Sequence, residues 1–494
     1  MKKNIYRLRV VCAVMLALFC TTSCNDWLEV KPKTEEEADK LFSTLDGFKS
    51  ALAGVYIGMS QTELYGREMT FGMVGVLGQE WGSGSDLGNQ YSAYSYLLNY
   101  NYEQVVSKAL IDAVWNKMYE GIANVNTLIQ YSDLKREVLG DYYGVVRGEA
   151  LALRAYMHFD LLRLFAPYDF SAEAKVAIPY VLEAKPAIAP QLTPTKFVEY
   201  ALKDVEAALE LLKSDPILTG EDVSGVDNGY LANRNFHLNY YAVLALKARV
   251  YLYVGEQANA LVAARKLLAD SKVNEHFPAV DPNKLLANQS NPDRVFSTEV
   301  LTGIYKKDRV DIYTNYFSAE QAGNNYLHPR KDFVGTSLFA GETQDYRFQT
   351  WWQVASGVGE SGHSLIKYKG IDKPSGTKES EYFYAVFMSL IRLSEVYYIA
   401  AECEPVLSDR YGWLNQMRTR RGLPELTVVS EDDFMKRLRS EYLREFIGEG
   451  QIFFMYKRLY ININSDENGY DTNTYGAKEE RYVLPLPSGE VDNR

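Results

Sequence analysis

Cys24 and the residues leading to it prescribe a covalent reaction. Met1–Arg9 is cationic, Val10–Cys20 is an unbroken apolar run, and Thr21-Thr22-Ser23 sets small residues before the cysteine. The run is shorter than the roughly 18 residues that a spanning helix requires, but it suits the apolar part of a secretory leader. The arrangement is similar to a loosely spelled lipoprotein cleavage site, so Cys24 is expected to be acylated and to become the first mature residue. Acyl chains hold a membrane by burying methylenes, at about 0.8 kcal/mol each. Plain cleavage near Ser23 is the alternative, and Cys20, behind bulky Phe19, is the competing lipid site.

Other candidate chemistry is weaker. Arg437, Glu441, Glu445 and Glu449 recur at four-residue steps and would line one helix face. Such carboxylates could act as an acid/base pair, but Arg437, Arg439 and Arg444 beside them make ion pairing the reading adopted. Gly357, Gly359 and Gly362 spell G-x-G-x-x-G, which cradles a pyrophosphate only between a strand and a helix. With Trp351-Trp352 before it and His363-Ser364-Leu365 after it, the stretch reads as a flexible loop. His158, His237, His276, His328 and His363 are scattered without zinc spacing, and no G-x-S-x-G elbow occurs. His158 falls in a helical segment and reads as a packed, hydrogen-bonded residue. No cofactor, metal or catalytic residue is therefore assigned.

The elements that would carry a site are mainly helical. Apolar residues recur at steps of three and four over Ala38–Ser60, Ile111–Ser132, Tyr143–Phe165, Lys196–Leu212, Asn239–Leu252 and Glu256–Asp270. Ala385–Glu402, Tyr411–Arg421 and Asp432–Tyr456 repeat the pattern. Ala242, Ala245 and Ala248, then Gly255, then Ala258, Ala260 and Ala263 suit a tetratricopeptide-like hairpin of degenerate register. Between helices, Gly78–Tyr102, Ser214–Asn235 and Phe277–Gly370 are poor in helical period. Loops of such length are uncommon in compact domains unless they carry function.

Charge and composition narrow the ligand. The net charge is −11, and it becomes more negative if Lys2, Lys3, Arg7 and Arg9 leave with the leader. Such a surface repels phosphate backbones, so no nucleic-acid partner is expected. Tyr occurs 38 times against 21 Phe and 6 Trp, and its flat face with a polar tip suits half-wet surfaces as well as helix packing. After Cys24 only Cys403 remains, so core burial rather than an internal disulfide must stabilise the fold.

The C-terminal third resembles the SusD/RagB family. Ile391–Glu402 (IRLSEVYYIAAE), Leu414–Pro424 (LNQMRTRRGLP), Glu441–Gly450 (EYLREFIGEG) and Tyr482–Val491 (YVLPLPSGEV) follow its motifs in order. In the N-terminal half, Trp115, Tyr119, Ile122 and Asn126 resemble its W-x-x-x-Y-x-x-I-x-x-x-N, and Gly148–Phe165 resembles its G-E-A…L-R-A segment. Cys24–Glu29 is similar to its lipidated start. The chain departs from the pattern at Ile452 and Met455, where an Arg and an Asp are usual, and at Cys403-Glu404-Pro405, which interrupts a longer helix.

The resemblance implies a mainly α scaffold of degenerate tetratricopeptide-like units with long aromatic-rich loops. It implies a non-enzymatic surface lipoprotein of the outer membrane that binds oligosaccharides and hands them to a SusC-type TonB-dependent transporter. Peptide uptake by a member of the same family and a secreted glycoside hydrolase are the rival readings. The expected divisions are a leader (1–23), a lipidated tether (24–33), an N-terminal helical region (34–275) with ligand loop 78–102, and a C-terminal region (276–494) with ligand loops 305–370. Within those loops the candidate stacking rings are Trp81, Tyr91, Tyr94, Tyr96, Tyr316, Tyr326 and Trp351, with Asn89 and Asn324 as polar partners. An aromatic in a Gly/Ser/Asn-rich loop has little core to enter, the alternative being that about half are packed beneath their loops.

Overall fold

The computed structural model describes residues 33–82, 92–171, 174–175, 178–184, 188–287, 292–318, 327–330, 333–355, 362–370, 383–463 and 475–492. The longer helices are α1 (Leu45–Met59), α2 (Val105–Leu134), α3 (Tyr143–Phe165), α4 (Pro194–Leu211), α5 (Tyr240–Tyr253), α6 (Gln257–Leu268), α7 (Leu393–Cys403), α8 (Leu407–Arg420), α9 (Glu431–Phe446) and α10 (Ile452–Leu459). Their starts follow local chemistry. Thr44, Thr193, Asn239 and Ser430 accept hydrogen bonds from backbone N–H groups of the first turns of α1, α4, α5 and α9. Pro194 opens α4, and three acidic residues occupy the first turn of α9.

The helices pack as successive hairpins: α2 on α3, α3 on α4, α5 on α6, α7 on α8, with α6 and α7 joining the last two pairs. Close approach depends on small residues. Ala242, Ala245, Ala248, Ala260, Ala263 and Ala264 are all buried. Gly255 turns the chain between α5 and α6 with φ +82, a conformation that Gly adopts without steric cost. This is the tetratricopeptide-like, mainly α architecture that the alanine pattern and the resemblance imply.

α3 is buried almost throughout, charges included, and each charge finds a partner. Arg154 forks onto Asp204 of α4 at 2.7 Å from both nitrogens. His158 is fully buried and stacks on Tyr180 with centroids 3.8 Å apart. Its Nε2 accepts from the Val181 N–H at 2.9 Å, so the proton sits on Nδ1 and donates to the Arg154 carbonyl at 2.9 Å. Burial pushes the imidazole pKa down to about 3, the ring being held neutral. Cys403 is buried as well, and burial pushes its thiol up to about 12.

Three short antiparallel pairs complete the described fold: β1 (Ile178–Pro179) with β2 (Gln191–Leu192), β3 (Val300–Tyr305) with β6 (Phe387–Arg392), and β4 (Trp352–Ala355) with β5 (Gly362–Leu365). Here several expectations are corrected. The helix expected from Ala385 begins only at Leu393, because Phe387–Arg392 pairs with β3. The helix expected over Ala38–Ser60 breaks at Phe42–Thr44, where Thr44 caps a new start. The helix expected over Asp432–Tyr456 is two, divided by Gly448 and Gly450 at φ +76 and +70. Within Gly78–Tyr102, Ser92–Leu98 is helical. In the G-x-G-x-x-G stretch, Gly362 opens strand β5, while Gly357 and Gly359 fall outside the described residues.

The carboxylate series forms a buried ion-pair network. Arg347 bonds Asp345, Glu441 at 2.7 Å and Glu445 at 2.9 Å. Arg421 bridges Glu299 and Glu445, and Arg392 bridges Glu445 and Glu449. Burial alone would raise the Glu445 carboxyl, but Arg421, Arg392 and Arg347 hold it well below the usual range. The cations differ from those expected. Arg444 takes part, but Arg437 makes only a half-exposed pair with Asp433 at 3.6 Å, and Glu449 lies beyond the end of α9. No helix among the described residues is long and apolar enough to cross a membrane.

Candidate ligand-binding site

Glu68 is the hub from which the site is built. Its buried carboxylate accepts from the Met73 N–H at 2.8 Å, the Tyr94 hydroxyl at 2.8 Å and Arg67 Nε at 2.5 Å. Burial raises the Glu68 carboxyl against the opposing pull of Arg67. Arg67, so anchored, donates from Nη1 to the Tyr316 hydroxyl at 2.8 Å. Its Nη2 makes no hydrogen bond among the described residues, and the side chain is 24% exposed.

Tyr313 and Tyr316 stand three apart on the π-helical turn Tyr313–Phe317. Both are half-buried. Phe71 supports Tyr316 at 5.4 Å between centroids and Tyr368 at 5.8 Å. The next residue, Lys369, sets its ammonium 5.6 Å from the Tyr313 ring centroid, and Gln353 of β4 donates to the Tyr313 hydroxyl at 3.2 Å. Lys369 makes no ion pair among the described residues.

Gly82 donates its N–H to the His328 carbonyl at 2.7 Å, and Leu327 donates to the Tyr316 carbonyl at 2.6 Å. The described flanks of 83–91 and 319–326 are therefore joined to one another beside Tyr316. The two loop regions expected to supply ligand contacts are neighbours in space.

Individual rings fare differently. Trp81 is 1% exposed, donates Nε1 to the Phe71 carbonyl at 2.8 Å and packs on Phe317. Trp351 is fully buried, with Lys367 Nζ 3.9 Å over its ring inside the ion-pair network. Tyr94 is 1% exposed and hydrogen-bonded to Glu68. These three are corrected from ligand-facing to supporting residues, because each finds core beneath its loop and none presents a face to solvent. Tyr96 is 38% exposed, but two residues beyond Tyr94 it points to another side of its helix, away from Glu68 and Arg67. Tyr316 lies in the site. Cys24, Asn89, Tyr91, Asn324 and Tyr326 lie outside the described residues.

Arg67, Tyr313, Gln353 and Lys369 were not singled out from the sequence. The three-residue spacing of Tyr313 and Tyr316 was a signal available there, whereas nothing around Arg67 distinguishes it from other surface arginines.

The arrangement offers two supported ring faces, a rigid guanidinium edge, an amide and an ammonium. Among the described residues it presents no free pair of carboxylates: Glu68 is buried and triply hydrogen-bonded. Such a surface can bind a ring-shaped polyhydroxylated ligand by stacking and hydrogen bonding.

Comparison with known proteins agrees with this architecture. The family profile for starch-binding proteins associating with the outer membrane (SusD-like) matches residues 26–252, and the SusD family profile matches residues 313–494. A SusD-like protein of Formosa agariphila is 21% identical over 282 residues, which is 55% of this chain and 47% of that protein. The match thus spans about half the length of the curated relative. A SusD superfamily protein from Bacteroides thetaiotaomicron is similar in fold, with TM-score 0.69 and 22% identity over 91% of this chain and 98% of that one. A SusD-like carbohydrate binding protein from Bacteroides vulgatus (TM-score 0.67, 17% identity, 91% and 96% covered) has the same fold. So has surface glycan-binding protein A from Bacteroides uniformis (TM-score 0.64, 20% identity, 91% and 98% covered). The chain belongs to the SusD/RagB family.

Proposed function

We propose that this protein captures oligosaccharides at the outer membrane and delivers them to a SusC-type TonB-dependent transporter, without cleaving them. The observation that carries the reading is the Tyr313–Tyr316 turn with Arg67 pinned beside it. Sugar rings offer apolar C–H faces to the tyrosines, and their hydroxyls can accept from Arg67 Nη2 and Lys369. Anchorage through an acyl group on Cys24 and the tether 24–33 is part of the same proposal.

A glycan array followed by calorimetry on the purified protein tests it. Tyr316→Ala should weaken the best ligand by about 1–3 kcal/mol, the range for a base stacked on an aromatic side chain, while circular dichroism stays that of wild type. Steady shortening of the bound oligosaccharide that survives repurification would refute binding without turnover. Uptake of peptides would show instead as calorimetric binding of peptides and of no glycan.

A further inference from the structure

We infer that the site around Tyr313 and Tyr316 selects oligosaccharides that carry negative charge, as a uronate carboxylate or a sulfate ester. This rests on the proposed glycan-binding reading and names the chemical class within it.

The local balance of charge on an otherwise acidic protein carries the inference. Arg67 is held by Glu68 on one edge and by Tyr316 on another, so its position is set before any ligand arrives. Its free Nη2 is a charge-assisted donor whose planar geometry suits carboxylate and sulfate oxygens. Lys369 is half-buried over the Tyr313 ring with no carboxylate partner among the described residues. An ammonium in that setting has shed part of its hydration and gains an ion pair only when a ligand supplies the anion.

Among the described residues, the neighbouring acids do not pair with Lys369 or with the Nη2 edge of Arg67. Glu68 is 2% exposed and turned inward. Asp308 pairs with Lys306 at 3.0 Å. A neutral sugar could use the tyrosines and Nη2, but it would leave Lys369 half-desolvated with nothing to offset the cost. Across a body of net charge −11, a small cationic mouth also focuses anionic ligands on itself.

Matched probes separate charge from shape. The full-length protein in mild detergent is titrated with oligogalacturonate and its methyl ester, and with a sulfated galactan oligosaccharide and its desulfated form. At least one charged member should bind tenfold or more tightly than its neutral counterpart, and the two pairs distinguish carboxylate from sulfate. That preference should shrink severalfold between 50 and 500 mM salt, as screening of a partly exposed ion pair requires. Lys369→Met should narrow the charged-over-neutral ratio about tenfold and Lys369→Arg should largely keep it, with thermal unfolding verifying both folds. Neutral members binding as tightly as charged ones, with no salt dependence, would overturn the inference and leave the glycan reading standing. Binding of no glycan, charged or neutral, on these probes and a broad array would overturn both.

Discussion

Trp81 and Trp351 look alike in the sequence to rings that stack on ligand, since each sits in a stretch without helical period. What distinguishes them is long-range. Trp81 meets Phe317 and the Phe71 carbonyl, and Trp351 meets Lys367 and Phe296. Neither contact can be read from neighbours in the chain. Trp81→Ala should therefore cost stability, about 3–5 kcal/mol by denaturant unfolding as for other large-to-small core changes. Tyr96→Ala, on an exposed ring, should stay within about 0.5 kcal/mol of wild type. His158 was read correctly as packed, because its segment was recognisably a buried helix. Its folded pKa lies near 3, far below the 6.5 of an unfolded His. Between those values the unfolded chain takes up a proton that the folded one refuses, so stability falls as pH drops through 6.5. From pH 7 to pH 5 this one group should cost about 2 kcal/mol. His158→Gln removes the titration, so urea midpoints at the two pH values should differ less for the variant than for wild type. An equal difference would mean that His158 protonates freely in the fold.

Helices were the legible elements, and α3 was read with the bounds it has in the structure. Short segments buried on both faces were not. Phe387–Arg392 is buried at every position, so it lacks the alternation of a half-exposed strand and merges with the helix after it. Its partner β3 is more than eighty residues away, beyond any local signal. The break between α9 and α10 was available in Ile447–Gln451, where Gly448 and Gly450 adopt positive φ, but the apolar period ran across it. That break matters for the site. Gly448 donates its N–H to Glu80 at 2.6 Å, and a Cβ on Gly450 would overlap the Met69 carbonyl, two residues from Arg67. The turn thus couples the ion-pair network of α9 to the stem of the stretch Gly78–Tyr102. Glu445→Gln would leave Arg421, Arg392 and Arg347 sharing too few carboxylates in a sealed interior. It should cost about 3–5 kcal/mol by urea unfolding. A loss below about 1 kcal/mol would mean that water or rearranged carboxylates replace Glu445, and that the network is not the structural core of this half.

At the scale of the molecule, the acidic charge and Cys403, the one cysteine after Cys24, described the surface and the core, but not how the protein meets a membrane. No helix among the described residues is long and apolar enough to cross a membrane, and on the proposed reading an oligosaccharide held at Tyr313 and Tyr316 is passed to a separate transporter. Release into bulk solvent for capture by a separate porin would dilute the ligand that binding had concentrated. Docking over a barrel instead keeps it at high effective concentration through every round of release and recapture. A lipid on Cys24 and a short tether would allow the body to swing away from that barrel while staying attached. Two measurements follow. Cys24→Ala should move the protein from the membrane to the soluble fraction, and unchanged retention would remove the lipid from the account. Affinity purification of the wild-type protein from gently solubilised membranes should recover a SusC-type barrel in near-equal amount. Because the loop stems around Arg67 would face the barrel mouth, an excess of the charged oligosaccharide should alter the yield of that complex, while its neutral counterpart should not. Recovery of the tagged protein alone in several mild detergents, with and without ligand, would refute delivery through a docked transporter.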